Sequence, residues 1–183
     1  LAIGNFETVV AGSGAGYTGY PTFNTPDEYA QAAVGAGFDV LTNANNHVLD
    51  RGPAGLTRTL DILDGLGVLH TGAARTADEA DRVLVADVRG VKIAVIAYTY
   101  GMNGFTAPDG KSWMVNVINK ARMVAEVAEA RSLGADLVFV SIHNGVEYQR
   151  QPSAAQVALE EAMIGAGADV VLGSHPHVIQ PMT

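Results

Sequence analysis

The sequence has no cysteine. That excludes a disulfide framework and every thiolate metal site, and it leaves the redox compartment open. Charge is also scarce: 16% of the 183 residues are Asp, Glu, Lys or Arg, and 11 basic against 19 acidic side chains give a formal −8. An acidic chain without a basic stripe excludes the phosphate backbone of a nucleic acid as a partner. No apolar run approaches the roughly 20 residues that cross a bilayer. What is present is a 48% apolar chain with 21 glycines, long enough to bury a sizeable core, so intrinsic disorder is excluded as the main state. Leu1-Ala2-Ile3 reads as the end of a strand with no initiator methionine, and the last residues bring neither a helix nor a polar tail. The expectation is a piece of a longer protein, with residues 1–183 forming a single domain truncated at both ends.

Short β-branched runs alternate with helical stretches. Thr25 as cap, Pro26 at the first helical position and Glu28 closing a capping box predict a helix to about Ala36. A strand follows over 38–42. Pro53 opens a second helix through Leu66, with Leu56, Leu60, Leu63 and Leu66 at helical spacing and Gly67 as the stop. A short strand is expected over 68–70. Residues 82–88 and 91–98 read as two strands joined by Arg89-Gly90, a hairpin signal. Residues 101–118 read as loop, 119–132 as helix, and 136–142 as a strand buried on both faces. Ser153 to Gln156 caps a last helix ending near Gly167, and a last strand covers 169–172. Strands alternating with helices imply an α/β fold with a largely parallel sheet and an antiparallel portion at the hairpin.

Four of the five histidines, His47, His143, His175 and His177, follow apolar strand-like runs. In open α/β sheets, ligands bind beyond the carboxyl ends of the strands. Asn5 and Glu7 follow the first strand, and Asn46 adjoins His47, so all are expected at the same rim. Imidazole, carboxylate and amide oxygen form the ligand set of a first-row divalent metal. The His175-Pro176-His177 spacing aims both rings at one place only if the backbone bends, a bend that Pro176 and Gly173 permit. Asp50, three residues after His47, is close enough to orient its ring, or serves as a helix-start acid before Pro53. Asn45 is equally a turn residue or a site residue. Glu147, four residues past His143, is a rim carboxylate or a solvated acid. His70 reads as an ordinary surface histidine, and Tyr98 and Trp113 as packing or pocket walls rather than catalysts. Gly12, Gly14 and Gly16 do not open a helix, so they read as loop rather than a phosphate cradle.

Asn5-Phe6-Glu7, Ala44-Asn45-Asn46-His47 with Asp50 and Gly52, His143-Asn144-Gly145-Val146-Glu147-Tyr148 and Gly173-Ser174-His175-Pro176-His177 occur in this order along the chain. In that order they resemble bacterial poly-γ-glutamate capsule-biosynthesis proteins of the CapA type, a branch of the calcineurin-like metallophosphoesterases. The resemblance covers nearly the whole chain. It implies a calcineurin-like α/β fold of mixed sheets flanked by helices. It also implies two divalent metal ions (Mn, Zn or Fe) held by Glu7, Asn46, His143, His175 and His177, with Glu7 at the bridging position. A further ligand, from the Gly-Asp motif of the family's first strand, lies upstream of Leu1. His47 takes the place of the general acid or transition-state stabiliser, with Asp50 orienting it, and Asn5, Asn45 and Glu147 become substrate-binding candidates. Where the family often has Trp after the first histidine of its His-x-Gly-x-Glu segment, this chain has Asn144. The implied reaction is hydrolysis or transfer at a phosphate ester. The implied partners are a phosphate-containing small molecule or cell-envelope polymer precursor, with capsule synthesis or export proteins at the membrane. The implied location is extracytoplasmic, through a membrane anchor outside this segment. A non-catalytic role in a capsule synthesis or export assembly, or an intracellular metal-dependent phosphatase, are the alternative readings.

Overall fold

The computed structural model describes residues 1–182, which divide into two compact units. The first comprises Leu1–Arg82 and Gly101–Val117; the second comprises Val83–Tyr100 and the chain from Ile118 onward. No helix among the described residues is long and apolar enough to cross a membrane.

The first unit carries a parallel sheet of β1 (Ile3–Asn5), β2 (Val40–Thr42) and β3 (Leu69–Thr71), in that order. Helix α1 (Asp27–Gly35) links β1 to β2, and α2 (Gly52–Gly65) links β2 to β3. On α2 the leucine spacing does what periodicity predicts. Leu56, Leu60 and Leu63 are buried against Phe6, Val10, Leu41, Val48 and Leu49, and Leu66 packs partly buried at the edge. Thr59, buried on the same helix, donates from Oγ1 to the Gly55 carbonyl at 2.8 Å and accepts the Val10 N–H at 2.9 Å. It thereby pins the chain after β1 to α2 without leaving a buried hydroxyl unpaired.

The expected capping box at Thr25 is not formed. The hydroxyl of Thr25 donates instead to the Val9 carbonyl at 3.3 Å, Pro26 takes the cap position, and the helix starts at Asp27. Asp27 and Glu28 then lie in the first turn, where negative charge suits the helix N-terminus. Helix α3 (Ala77–Ala80), capped by the Thr76 side chain accepting from Glu79 N–H, has too few residues to show periodicity and was not among the expected elements.

Beside α3, Arg75 gathers three carboxylates: Asp61 at 2.7 Å, Asp64 at 2.6 Å and Glu79 at 2.5 Å. Burial pushes the Glu79 carboxyl up, but hydrogen bonds and charge from Arg75 outweigh it and hold the group below the usual carboxylate range. Asp64 is likewise raised by burial and lowered more by Arg75 and His70. His70 Nε2 lies 3.0 Å from Asp64 Oδ1, a hydrogen-bonded histidine as expected, but its side chain is largely buried rather than on the surface. Carboxylates with lowered folded-state pKa values contribute stability above their unfolded values, and that stability is lost as pH falls through the folded values. Arg75→Met is therefore expected to lower stability by about 1–2 kcal/mol near neutral pH. The deficit should shrink as pH falls below about 4, where these carboxyls protonate in the unfolded chain. Urea unfolding at the two pH values measures it.

The second unit carries a four-stranded sheet ordered β4 (Leu84–Val88), β5 (Val91–Thr99), β6 (Leu137–His143) and β7 (Val170–Ser174). The first pair is antiparallel and the others are parallel. The hairpin forms where the sequence signals it. Val88 pairs with Val91 across a two-residue turn, and Arg89 (φ 57°) and Gly90 (φ 87°) both adopt the left-handed backbone that such turns require. Helices α4 (Lys120–Ser132) and α5 (Ala154–Ala166) cover the sheet, with Met123, Val127, Ala130 and Met163 packed against Ala94, Ile96, Val138, Val140 and Ile142. Asn119 caps α4, and Ser153 with Gln156 forms the expected reciprocal capping box on α5. Strand β6 is buried from Val140 through His143, whereas Leu137 and Phe139 are half-buried, so full burial on both faces holds only for its carboxyl half. Tyr98 is core packing, as expected, with its hydroxyl donating to Glu126 at 2.6 Å.

Each sheet is flanked by helices, and the α/β arrangement of two sheets, one parallel and one mixed, is consistent with the calcineurin-like fold that the resemblance implies.

Candidate functional site

In the first unit, the segment leaving β2 folds back under Asn45, which is fully buried. Its Nδ2 donates to the Phe6 carbonyl at 2.9 Å, and its Oδ1 accepts the His47 N–H at 3.0 Å. The carboxamide therefore joins the exits of β1 and β2 and sets the backbone that presents His47. Asn5 donates from Nδ2 to Glu7 Oε2 at 3.0 Å on the adjoining segment.

The ring of His47 is buried, with Nδ1 2.7 Å from Asp50 Oδ2 and the Phe23 ring edge-on at 4.3 Å between centroids. The same Asp50 oxygen accepts the Phe23 N–H at 2.6 Å. Among the described residues, Asp50 Oδ1 is buried with no hydrogen-bond partner. A carboxylate oxygen accepts, so Nδ1 faces Asp50 as the donor. The orienting contact expected for Asp50 is thus made. Asn46 donates from Nδ2 to Asn103 Oδ1 at 3.2 Å.

In the second unit, His143 ends β6, Ser174 ends β7, and the parallel register pairs them directly. His143 Nδ1 lies 2.9 Å from Ser174 Oγ, and Asn144 N–H donates to the Ser174 carbonyl at 3.1 Å. With Nδ1 engaged, Nε2 is the nitrogen that the buried ring can offer to a ligand. Tyr100, just past β5, lies parallel to the His143 ring at 6.4 Å and 4.8 Å from the His175 ring. The centroids of His143 and His175 are 5.0 Å apart, and those of His175 and His177 6.1 Å.

Of the two residues expected to permit the bend between His175 and His177, Pro176 lies within it and Gly173 does not. Gly173 is a regular strand residue paired with Ile142, and the backbone turns at the histidines themselves, His175 at φ 96° and His177 at φ 54°. Left-handed backbone in residues with a Cβ costs on the order of 1 kcal/mol each, and such strain concentrates at functional sites. Tyr148 is also left-handed (φ 62°), with its N–H donating to the Pro176 carbonyl at 2.7 Å. Upstream, Gly145 (φ 112°) leaves room for Gln156 of α5, whose amide would sit 2.5 Å from a Cβ at that position. These contacts hold the 143–148 segment so that ligand atoms of Glu147, His175 and His177 all lie within 4.8 Å of one another.

Two nitrogens and a carboxylate oxygen at that spacing fit a divalent ion of intermediate softness, such as Zn²⁺, Mn²⁺ or Fe²⁺. Within the second unit the structure thus brings together His143, His175, His177 and Glu147. Within the first it brings together Asn5 with Glu7, and Asn46 with His47 and Asp50. Ser174, Tyr100, Phe23 and Asn103 were not singled out from sequence. Ser174 was discoverable in principle, since pairing the ends of two adjacent parallel strands places it beside His143. Asn144, standing where the family often has Trp, keeps a buried Oδ1 that no described residue bonds.

A sequence model of the family described as "Bacterial capsule synthesis protein PGA_cap" matches residues 1–183. The chain is 33% identical over 162 residues to the capsule biosynthesis protein CapA of Bacillus anthracis, covering 84% of this chain and 38% of that protein. It is 33% identical over 147 residues to the PGA biosynthesis protein CapA of Bacillus subtilis (strain 168), covering 79% and 38%. A probable polyglutamine synthesis accessory protein of Mycobacterium tuberculosis is 28% identical over 154 residues, covering 78% and 40%. The chain therefore spans about two fifths of the length of these relatives.

Proposed function

The chain belongs to the bacterial capsule synthesis protein (PGA_cap) family, and from that premise we propose that it carries a metal-dependent phosphoesterase-like site serving poly-glutamate capsule synthesis. The observation that carries the reading is the convergence of Glu147, His175 and His177 on a strained backbone beside the buried His143. Glu147, His175 and His177 would hold a divalent ion, and Ser174 fixes the ring of His143 beside them. The metal-ligand roles that the resemblance gives Glu7 and Asn46, and the second ion, belong to the same reading. A bound divalent ion supplies Lewis-acid polarisation of a phosphoryl oxygen.

His47 handles the proton. Asp50 holds its ring by Nδ1, leaving Nε2 to take up a proton and deliver it to a leaving oxygen, the work of a general acid whose ordinary pKa lies near neutrality. The substrate is a phosphate-containing small molecule or cell-envelope polymer precursor, met outside the cytoplasm by a membrane-anchored protein.

With Mn²⁺ present, the chain is expected to hydrolyse an aryl phosphate mono- or diester, and a chelator should lower the rate by at least about 100-fold. A rate indifferent to the chelator contradicts the reading. The accessory designation of the mycobacterial relative favours a second role, as a non-catalytic member of a capsule synthesis or export assembly. Normal polymer from a capsule-forming strain carrying His47→Ala and His175→Ala supports that role instead.

A further inference from the structure

Between Glu7 and Asp27 the chain carries no charged side chain, yet residues 11–24 close into a built loop. Asn24, buried at its end, accepts the Ala11 N–H at 2.8 Å and donates from Nδ2 to the Gly12 and Gly16 carbonyls at 3.0 and 2.8 Å. Its backbone pairs with Thr18 in both directions, at 3.0 and 3.1 Å. A compact loop with adjoining ends, packed by its own side chains, is often put to functional use.

The loop is tied to the segment that carries His47 and Asp50. Arg51, at the cap of α2, donates from Nη1 to the Asp50 carbonyl at 3.2 Å. Its Nη2 donates to the Thr22 carbonyl at 3.2 Å and to the Thr18 hydroxyl. All of these acceptors are neutral oxygens, so the planar guanidinium serves here as a rigid fork rather than as half of an ion pair.

What this clasp presents is Phe23. Its N–H donates to Asp50 Oδ2 at 2.6 Å, the same oxygen that meets His47 Nδ1 at 2.7 Å. Its ring stands edge-on to the imidazole at 4.3 Å between centroids. The Asp50 side chain is wholly buried, so no solvent contact competes for that oxygen. One loop residue thus touches both members of the pair, the carboxylate with its backbone and the imidazole with its ring.

We infer that Phe23 is a positioning residue for the His47–Asp50 pair and that Arg51 is the clasp that holds it there. The inference rests on the phosphoesterase reading for what the pair then does. Two variants separate its parts. Phe23→Leu removes the ring and keeps the N–H. Arg51→Met leaves Phe23 intact and frees residues 18 and 22 from the Asp50 segment.

The test combines NMR and amide hydrogen exchange of the metal-free chain with Mn²⁺-supported hydrolysis of an aryl phosphate. In Phe23→Leu the His47 ring resonances should shift, exchange at amide 23 should stay near that of the parent, and kcat should fall about tenfold with KM little changed. In Arg51→Met exchange at amide 23 should quicken about tenfold, the His47 ring resonances should shift again, and kcat should fall about as far. A loop that only stabilised the fold would lower the urea midpoint and leave kcat alone. Unmoved His47 resonances in both variants, or unchanged kcat in both while the parent turns over, overturn the inference. Unchanged exchange at amide 23 in Arg51→Met overturns the clasp. Faster turnover in Arg51→Met also contradicts it, because the loop would then obstruct the site. If the parent does not hydrolyse the ester, the phosphoesterase reading fails, while resonances and exchange that move as stated leave the positioning of the pair by Phe23 and Arg51 standing.

Discussion

Replacing His175 and His177 together by asparagine is expected to weaken divalent-metal binding by at least about 100-fold and to remove metal-dependent hydrolysis with it. The size of the effect follows from what the two rings contribute. They supply both nitrogens of the Glu147, His175 and His177 cluster, and Glu147 is exposed, a lone carboxylate that water competes for. Asparagine is the informative replacement because both positions are left-handed. Alanine there would keep the backbone strain while removing the ligands, whereas asparagine accepts that backbone at lower cost. The asparagine variant should therefore unfold in urea close to the parent, and its loss of metal can be read as loss of ligands. Comparable metal binding by this variant and the parent would remove the cluster from the account.

The second large effect is expected at the buried imidazole–carboxylate pair. His47→Gln should lower kcat on an aryl phosphate by about 10²- to 10⁴-fold, the usual range for a lost general acid or base. Asp50→Asn is the sharper test. Asp50 accepts the ring N–H and the Phe23 N–H through one oxygen. An asparagine can place its oxygen where Asp50 Oδ2 lies and keep both bonds, so it removes the negative charge beside the ring without moving the ring. Turnover should fall nearly as far as in His47→Gln, with the ring still in place. Turnover unchanged in Asp50→Asn would deny the pair its role.

Much of this arrangement is legible in the sequence where a single local rule decides the outcome. Arg89-Gly90 makes its turn because both residues must be left-handed and one is glycine. Ser153 and Gln156 cap α5 because their reach spans one helical turn. The histidines are conspicuous because they follow apolar strand runs. Legibility ends where a distant partner competes. Thr25 has the chemistry of a cap, but the Val9 carbonyl takes its hydroxyl. Gly173 looked like the flexible point before His175, yet pairing with Ile142 holds it in β7 and moves the bend onto the histidines. Ser174 becomes the partner of His143 only once the β6–β7 register is known, and nothing local connects Phe23 to His47. Asn45 could be read either as turn or as site, and its two backbone contacts show what its carboxamide does in the fold.

The central claim is that this chain's histidine cluster is a metal site, and calorimetric titration of the metal-free chain with Mn²⁺ or Zn²⁺ tests it most directly. The account predicts saturable binding of at least one ion per chain, lost in the His175→Asn, His177→Asn double variant and retained in His47→Gln. No saturable binding by the parent, or equal binding by the parent and the double variant, would contradict it.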